Sequence, residues 1–326
     1  MKKVLIAILL LGLLPHASAD YIHWVDFRLS APVLRSALEL DMASQGGEQP
    51  LDWIDILALA AAWRGGTGVT VADTQRAAQA LRGDTPPERL PGMAGRYFSY
   101  YREAYGAALG GLAGHFAIRR TDPQTGEAEW IPAYGLKAFS PIAAGYPWSH
   151  YPDFGAQRSY GYARPHLGND ILGALGTPIC AVEGGTVEAL GWNRYGGWRI
   201  GIRSDDRKRY YNYAHLRKDT PYAEGLAVGQ RVQAGDVIGF MGRTGYSAQE
   251  NVNNIETVHL HFGLQLIFDE SQKECDSEIW IDVYPIIELL ASHCSSVARD
   301  PQTGRWERLY PYCDLDAEPI RSAAAR

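Results

Sequence analysis

A chain of 326 residues with 46% hydrophobic content can bury a substantial core, which excludes global disorder. Its formal charge of −6 excludes a broadly basic protein and speaks against nucleic acid as a partner. A neutral peptide or glycan substrate remains compatible with that charge.

The first residues have the pattern of a secretory signal peptide. Lys2 and Lys3 form a charged end, Val4 to Leu14 an apolar run, and Ala17-Ser18-Ala19 a small-residue cleavage site ahead of Asp20. Residues 1–19 are therefore expected to be removed, with the protein exported to the periplasm, the cell envelope or the extracellular space. The apolar run is short for a membrane span, an uncleaved anchor being the alternative, and no other stretch is long and apolar enough to cross a bilayer.

Residues 20–113 read as a helical module. Helices are expected from about 31 to 46, 51 to 63, 71 to 81 and 92 to 110, with apolar residues such as Val33, Leu34, Ala37 and Leu38 near a 3.6-residue period. His23 and His115 lie here without partners at ligand spacing and read as structural or surface residues. The module carries no chemistry of its own and is a candidate surface for a protein partner. Residues 114–160 read as a connecting hairpin around Asp122-Pro123-Gln124-Thr125-Gly126, followed by an ordered linker rich in Gly, Pro and Tyr.

Residues 161–270 are dense in short strands between glycine turns, so this part is mostly antiparallel β. Strands are expected over 177–182, 185–190, 198–203, 209–215, 228–232 and 237–241. Residues 271–326 read as a C-terminal helix, Glu278 to Leu290, and a tail packing on the domain through Trp306 and Tyr310. Pro285 must end, kink or start that helix. One bridge is expected among Cys275, Cys294 and Cys313, with Cys180 a buried free thiol.

Three clusters carry the chemistry. His166-Leu167-Gly168-Asn169-Asp170 places an imidazole and a carboxylate either side of a glycine bend. Tyr211-Asn212-Tyr213-Ala214-His215 alternates Tyr211, Tyr213 and His215 on one strand face. Val258-His259-Leu260-His261-Phe262 puts two imidazoles on the same face of a strand. Catalytic zinc typically takes three protein ligands from His, Asp or Glu and leaves a fourth position open. His166, Asp170 and one histidine of the last cluster make such a set.

In order, His-x-Gly-x-Asp, Tyr-x-His-Leu and His-Leu-His-Phe resemble the LytM or lysostaphin-like metallopeptidases of peptidase family M23. The glycine segments between them, Glu183 to Val187, Val228 to Gly239 and Gly242-Arg243-Thr244-Gly245, are similar to that family's turns. The resemblance covers about residues 160–268. It implies an α+β protein with a mostly antiparallel β-sandwich peptidase domain of the duplicated-hybrid-motif type beside the N-terminal helical module. It implies Zn2+ bound by His166, Asp170 and His261, with His215 and His259 as the unligated catalytic pair. It also implies a zinc endopeptidase acting on peptidoglycan peptides, in stem or crossbridge. Tyr213 is a candidate to meet the substrate by donating a hydrogen bond to an oxyanion, or else a packed strand tyrosine.

No His-Glu-x-x-His helix is present, so histidine must do the proton work. Two features depart from the family pattern. The segment Tyr246 to Thr257 is longer than the usual turn and is either a groove rim or a plain surface loop. Gly263 stands where relatives often carry an acid. The competing reading is a non-catalytic scaffold or activator on the same fold, and a complete ligand set is the feature that argues for an enzyme. His150 and His293 are not assigned to the site.

Overall fold

The computed structural model describes residues 21–160, 162–273 and 277–317. The signal-peptide pattern with His16, Cys275, and the Ala-rich end of the tail lie outside the described residues.

Four helices follow a short extended lead: α1 (Ala31–Ser44), α2 (Trp53–Arg64), α3 (Val71–Leu81) and α4 (Met93–Leu109). Each boundary has a local cause. Pro32 opens α1, and the Asp52 side chain accepts from the Ile54 N–H at the start of α2. Thr70 and Asp73 form a reciprocal capping box at α3, which spans the 71 to 81 read from sequence. Ile56 to Ala62 of α2 are all fully buried, so this helix is the axis about which the other three pack.

The expected hairpin follows as β1 (Ala113–Thr121) and β2 (Ala128–Leu136), extended to a third strand by β17 (Tyr312–Asp314) from the tail. The former linker then supplies β3 (Trp148–His150) and β4 (Gln157–Arg158), the latter paired with β5 (Arg164–Pro165). The central strands are β6 (Asn169–Gly173), β7 (Pro178–Cys180), β8 (Gly185–Asn193), β9 (Gly197–Ser204), β10 (Arg209–Ala214), β11 (Arg231–Val232), β12 (Val237–Phe240), β13 (His259–Leu266) and β14 (Ile279–Ile281). The main sheet runs β11-β8-β9-β10-β13-β6-β3, antiparallel throughout. The far edge of β13 is shared: β6 pairs with His259 to Phe262 and β14 with Leu264 to Leu266.

Alternation along these strands decides which face is core. Ile200, Ile202, Tyr211, Tyr213, Leu260, Phe262 and Leu264 are buried on one face, leaving the residues between them to the other. The alternation of Ile279-Trp280-Ile281 likewise makes a strand of what sequence assigned to the start of a helix. The helix itself, α5 (Tyr284–Leu290), is short, and Pro285 sits in its first turn. The expected strand 228–232 shrinks to β11, because Gly229 takes a left-handed turn and Val228 is exposed. In the tail, β15 (Val297–Arg299) and β16 (Trp306–Arg308) form a hairpin. Trp306 approaches the Phe240 ring, whereas Tyr310 is exposed. Among the described residues Cys180, Cys294 and Cys313 are free thiols, so a Cys294–Cys313 bridge is not formed. Burial pushes the Cys180 thiol up to about 12.

The helices are not an appendage, since buried apolar side chains form one cluster from Val25 to Leu290. The strongest polar tie is Arg209 at the start of β10. Its guanidinium donates to the Glu183 carboxylate at 2.7 and 3.0 Å, to Asp206 at 2.8 Å, and to the Ala107 carbonyl at 2.8 Å. That carbonyl lies in the last turn of α4, where the helix dipole favours a cation. Tyr211 donates to the same Glu183 carboxylate at 2.6 Å. Removing one partner of a buried ion pair strands the other charge. Arg209→Ala is expected to cost about 3–5 kcal/mol, read as a lower denaturant midpoint, with Arg209→Lys recovering only part because the fork geometry is lost.

Candidate metal centre

β13 organises the site. Its odd residues face away from the core, so His259 and His261 stand two apart on the open face of the sheet. The register of β6 places Asp170 directly opposite His261. Antiparallel neighbours in such a pair have Cβ atoms about 5 Å apart, within reach of an imidazole and a carboxylate sharing one ion. His166 arrives from the turn before β6, bent back by Gly168.

The glycine is needed for close approach rather than for an unusual backbone angle. A Cβ on Gly168 would lie 2.6 Å from the His261 ring and 2.7 Å from the Phe262 carbonyl oxygen. His166 Nε2, Asp170 Oδ1 and His261 Nδ1 therefore converge. The separations are 2.9 Å from His166 to Asp170, 2.8 Å from His166 to His261, and 3.2 Å from His261 to Asp170. Ligands of a tetrahedral zinc ion stand about 3.3 Å apart for bonds of about 2.0 Å. Two imidazole nitrogens and one carboxylate oxygen, all within 4.8 Å of one another, are a donor set that fits such an ion.

The protonation states suit ligation. Burial would raise the Asp170 carboxyl, but hydrogen bonds from His166 and His261 overcome it and hold the group well below the usual carboxylate range. Burial lowers His261 below the ordinary histidine value, so its ring is a neutral lone-pair donor near neutrality. Burial, followed by the neighbouring His259 and His261, drives His215 well below that value too.

His215 and His259 flank the three donors, their rings 4.7 Å apart. His215 Nδ1–H donates to the Thr244 carbonyl and His259 Nδ1–H to the Thr257 carbonyl, both at 2.9 Å. Each bond fixes the tautomer that leaves Nε2 bare. His259 Nε2 lies 3.8 Å from Asp170 Oδ1. The five histidine and aspartate side chains singled out in the sequence thus meet at one place.

Tyr213 does not join them. It is fully buried, packs on Phe262, and its hydroxyl accepts a hydrogen bond from the Val182 N–H at 2.9 Å. The reason corrects the reading of this strand. His215 takes φ of +61° just past the end of β10, which breaks the two-residue alternation. Tyr211 and Tyr213 turn to the core, while Asn212, Ala214 and His215 line the groove.

The groove, about 190 Å³, also has walls that sequence reading missed. Asp153 is buried, and its Oδ2 lies 3.1 Å from His166 Nδ1, orienting that ring so that Nε2 faces the cluster. Arg158 donates to both Asp153 and Asp170 at 2.9 Å. Asn169 donates to Asp153 at 2.9 Å and accepts from His150, which reaches Glu288 at 2.6 Å. His150 is thus part of a supporting chain outside the groove. Asp153 and Arg158 lie in the former linker, where a Pro-Asp turn and a lone arginine give no spacing signal.

The long segment after Gly245 proves to be a groove rim. Tyr246 stacks on Tyr160 at 4.6 Å and approaches His215 at 5.9 Å. Glu250 and Glu256 are exposed. At Gly263 the missing acid has a steric cause: a Cβ there would lie 2.9 Å from both the Trp280 ring and the Leu167 carbonyl. Trp280 lines this groove and also a larger cavity of about 690 Å³ beside residues 24–32, which holds no comparable ligand set among the described residues.

With this geometry in view, the profile of peptidase family M23 matches residues 164–274. The L-Ala–D-Glu endopeptidase of Bacillus subtilis is 39% identical over 40% of this chain and 38% of its own length. Lysostaphin of Staphylococcus simulans is 37% identical over 30% of this chain and 17% of its own. The chain therefore spans less than half the length of these relatives. Among solved structures, the catalytic domain of the antimicrobial peptidase lysostaphin from Staphylococcus simulans is 29% identical, covering 44% of this chain and 92% of that one, with a TM-score of 0.32.

Asp153→Asn replaces the carboxylate that orients His166. It is expected to weaken divalent metal binding about 10–100-fold, measured by competition with a chromophoric chelator.

Proposed function

From the match of residues 164–274 to peptidase family M23 we propose that this chain is an exported, zinc-dependent endopeptidase of bacterial peptidoglycan peptides. The observation that carries the reading is the convergence of His166, Asp170 and His261 from two paired strands and the turn before one of them. The names of the Bacillus and Staphylococcus relatives support peptide-bond cleavage in the cell wall. The signal-like residues 1–19 support export, and no helix among the described residues is long and apolar enough to cross a membrane.

His166 Nε2, Asp170 Oδ1 and His261 Nδ1 would hold the ion. Zinc in such a set supplies a Lewis acid for the scissile carbonyl and lowers the pKa of water toward neutrality. The remaining work falls to the chain. His215 and His259 present bare Nε2 atoms to the same space, so they can accept a proton from the attacking water and return it to the departing amine. Their carbonyl anchors at Thr244 and Thr257 keep both rings aimed at that task. The Trp280 and Tyr246 rings narrow the groove around the substrate.

Digestion of purified peptidoglycan by the zinc-loaded chain, followed by mass analysis of the soluble products, tests the reading. New amino termini are expected within the peptides, and the cut bond is read from their masses. A chelator should abolish release and added zinc restore it. His261→Ala is expected to lower turnover by more than about 100-fold, while intact cleavage by that variant would overturn the ligand assignment. A protein that binds stoichiometric zinc yet releases nothing would instead favour a scaffold role.

A further inference from the structure

The groove contains two cations that its own residues do not neutralise. Arg164 lies on β5, two residues before His166. Its Nη1 donates to the Tyr160 carbonyl at 2.8 Å, and its guanidinium lies over the rings of Tyr195 at 4.8 Å, Tyr162 at 5.5 Å and Tyr246 at 5.8 Å. Stacking fixes the plane of the fork but uses few of its five N–H donors. Arg199 lies on β9. Ile200 pairs with Tyr213 on the core face, so Arg199 falls on the groove face beside Ala214. Among the described residues, neither arginine forms an ion pair. By contrast Arg158, Arg203, Arg207 and Arg209 are all paired to carboxylates.

This local charge runs against the composition of the chain. Acids outnumber bases 37 to 31 overall. Yet Asp170 is the one carboxylate among the described residues lining the groove, and it is already held by His166, His261 and Arg158. A substrate entering this space meets unspent positive charge.

We infer that Arg164 and Arg199 form a carboxylate-binding subsite that selects anionic peptides over neutral ones. The inference rests on the endopeptidase reading and names its substrate class: a peptide with a free carboxylate within about three residues of the cleaved bond, as opposed to a polyglycine segment. The spacing follows from the sheet. His261 pairs with Ala214, and Arg199 lies one strand further on, so its backbone is about 10 Å from that of the metal ligand. An extended peptide advances about 3.3 Å per residue, which places the bound carboxylate no more than about three residues from the attacked carbonyl. Arg164, two residues before His166, lines the same groove.

The test uses the full zinc-loaded chain and two synthetic tetrapeptides containing an Ala–Glu bond, identical except that the glutamate carboxyl beside the bond is free in one and a carboxamide in the other. Pentaglycine is the neutral reference. The acid is expected to exceed the amide in kcat/KM by about 10–100-fold, with the advantage shrinking as salt rises. Arg164→Gln with Arg199→Gln should bring the ratio close to one, and the matching lysine variants should retain part of it. Thermal midpoints of all variants check that they fold. Equal cleavage of acid and amide, or an acid preference that survives the double glutamine variant, overturns the subsite. If the zinc-loaded chain cuts pentaglycine but neither tetrapeptide, the subsite is overturned and the endopeptidase reading stands. If it cuts none of the three, the endopeptidase reading falls only when purified peptidoglycan also releases nothing, and calorimetric titration of the acid peptide then decides the subsite alone. Binding lost in the double variant upholds it, and equal binding by that variant overturns it.

Discussion

The register of β6 against β13 is the constraint on which the site depends. Asp170 pairs with His261, and that pairing sets the distance between two of the three donors before any side chain rotates. A slip of one residue would turn His259 and His261 into the core and expose Leu260 and Phe262. Because those two apolar residues are buried, the same hydrophobic pattern that folds the strand also aims its imidazoles. Metal geometry and core packing are therefore specified by one alternation.

The surrounding molecule holds this register from both sides. Across β10, Tyr211 and Tyr213 pack on Phe262 and fix the buried face of β13. At the other end of β10, Arg209 ties the sheet to the last turn of α4 through Glu183 and the Ala107 carbonyl. Such a pair is costly to bury, and its donors are satisfied by two carboxylates and two helix carbonyls together. The helices and the sheet thus share one apolar cluster and a fully occupied polar joint.

Much of the site was legible because it rests on local rules. Two-residue periodicity placed His259 beside His261, and the glycine between His166 and Asp170 announced a bend. What escaped depended on contacts between distant segments. Tyr213 was misplaced because nothing in Tyr-x-Tyr-x-His reveals that His215 adopts a positive φ and changes face. Asp153 and Arg158 gave no spacing signal, since their meaning comes only from pairing with His166 and Asp170. The helix read over 278–290 failed at Trp280 for a related reason. An apolar stretch that short fits strand and helix alike, and the free edge of β13 beyond β6 decides between them.

These misses divide the chain by role. Residues 164–274 supply the three donors and both flanking histidines, and that segment alone matches the family profile. The support for His166 comes from Asp153, and the wall opposite Gly263 from Trp280, both outside that segment. After His-Leu-His-Phe this chain has no room for a side chain at Gly263, because the Trp280 ring and the Leu167 carbonyl fill the space. Trp280 forms an aromatic wall of the groove, and Asp170 is the one carboxylate among the described residues lining it. Flanking segments thereby shape the groove, while residues 164–274 supply both its donor set and its two unpaired arginines.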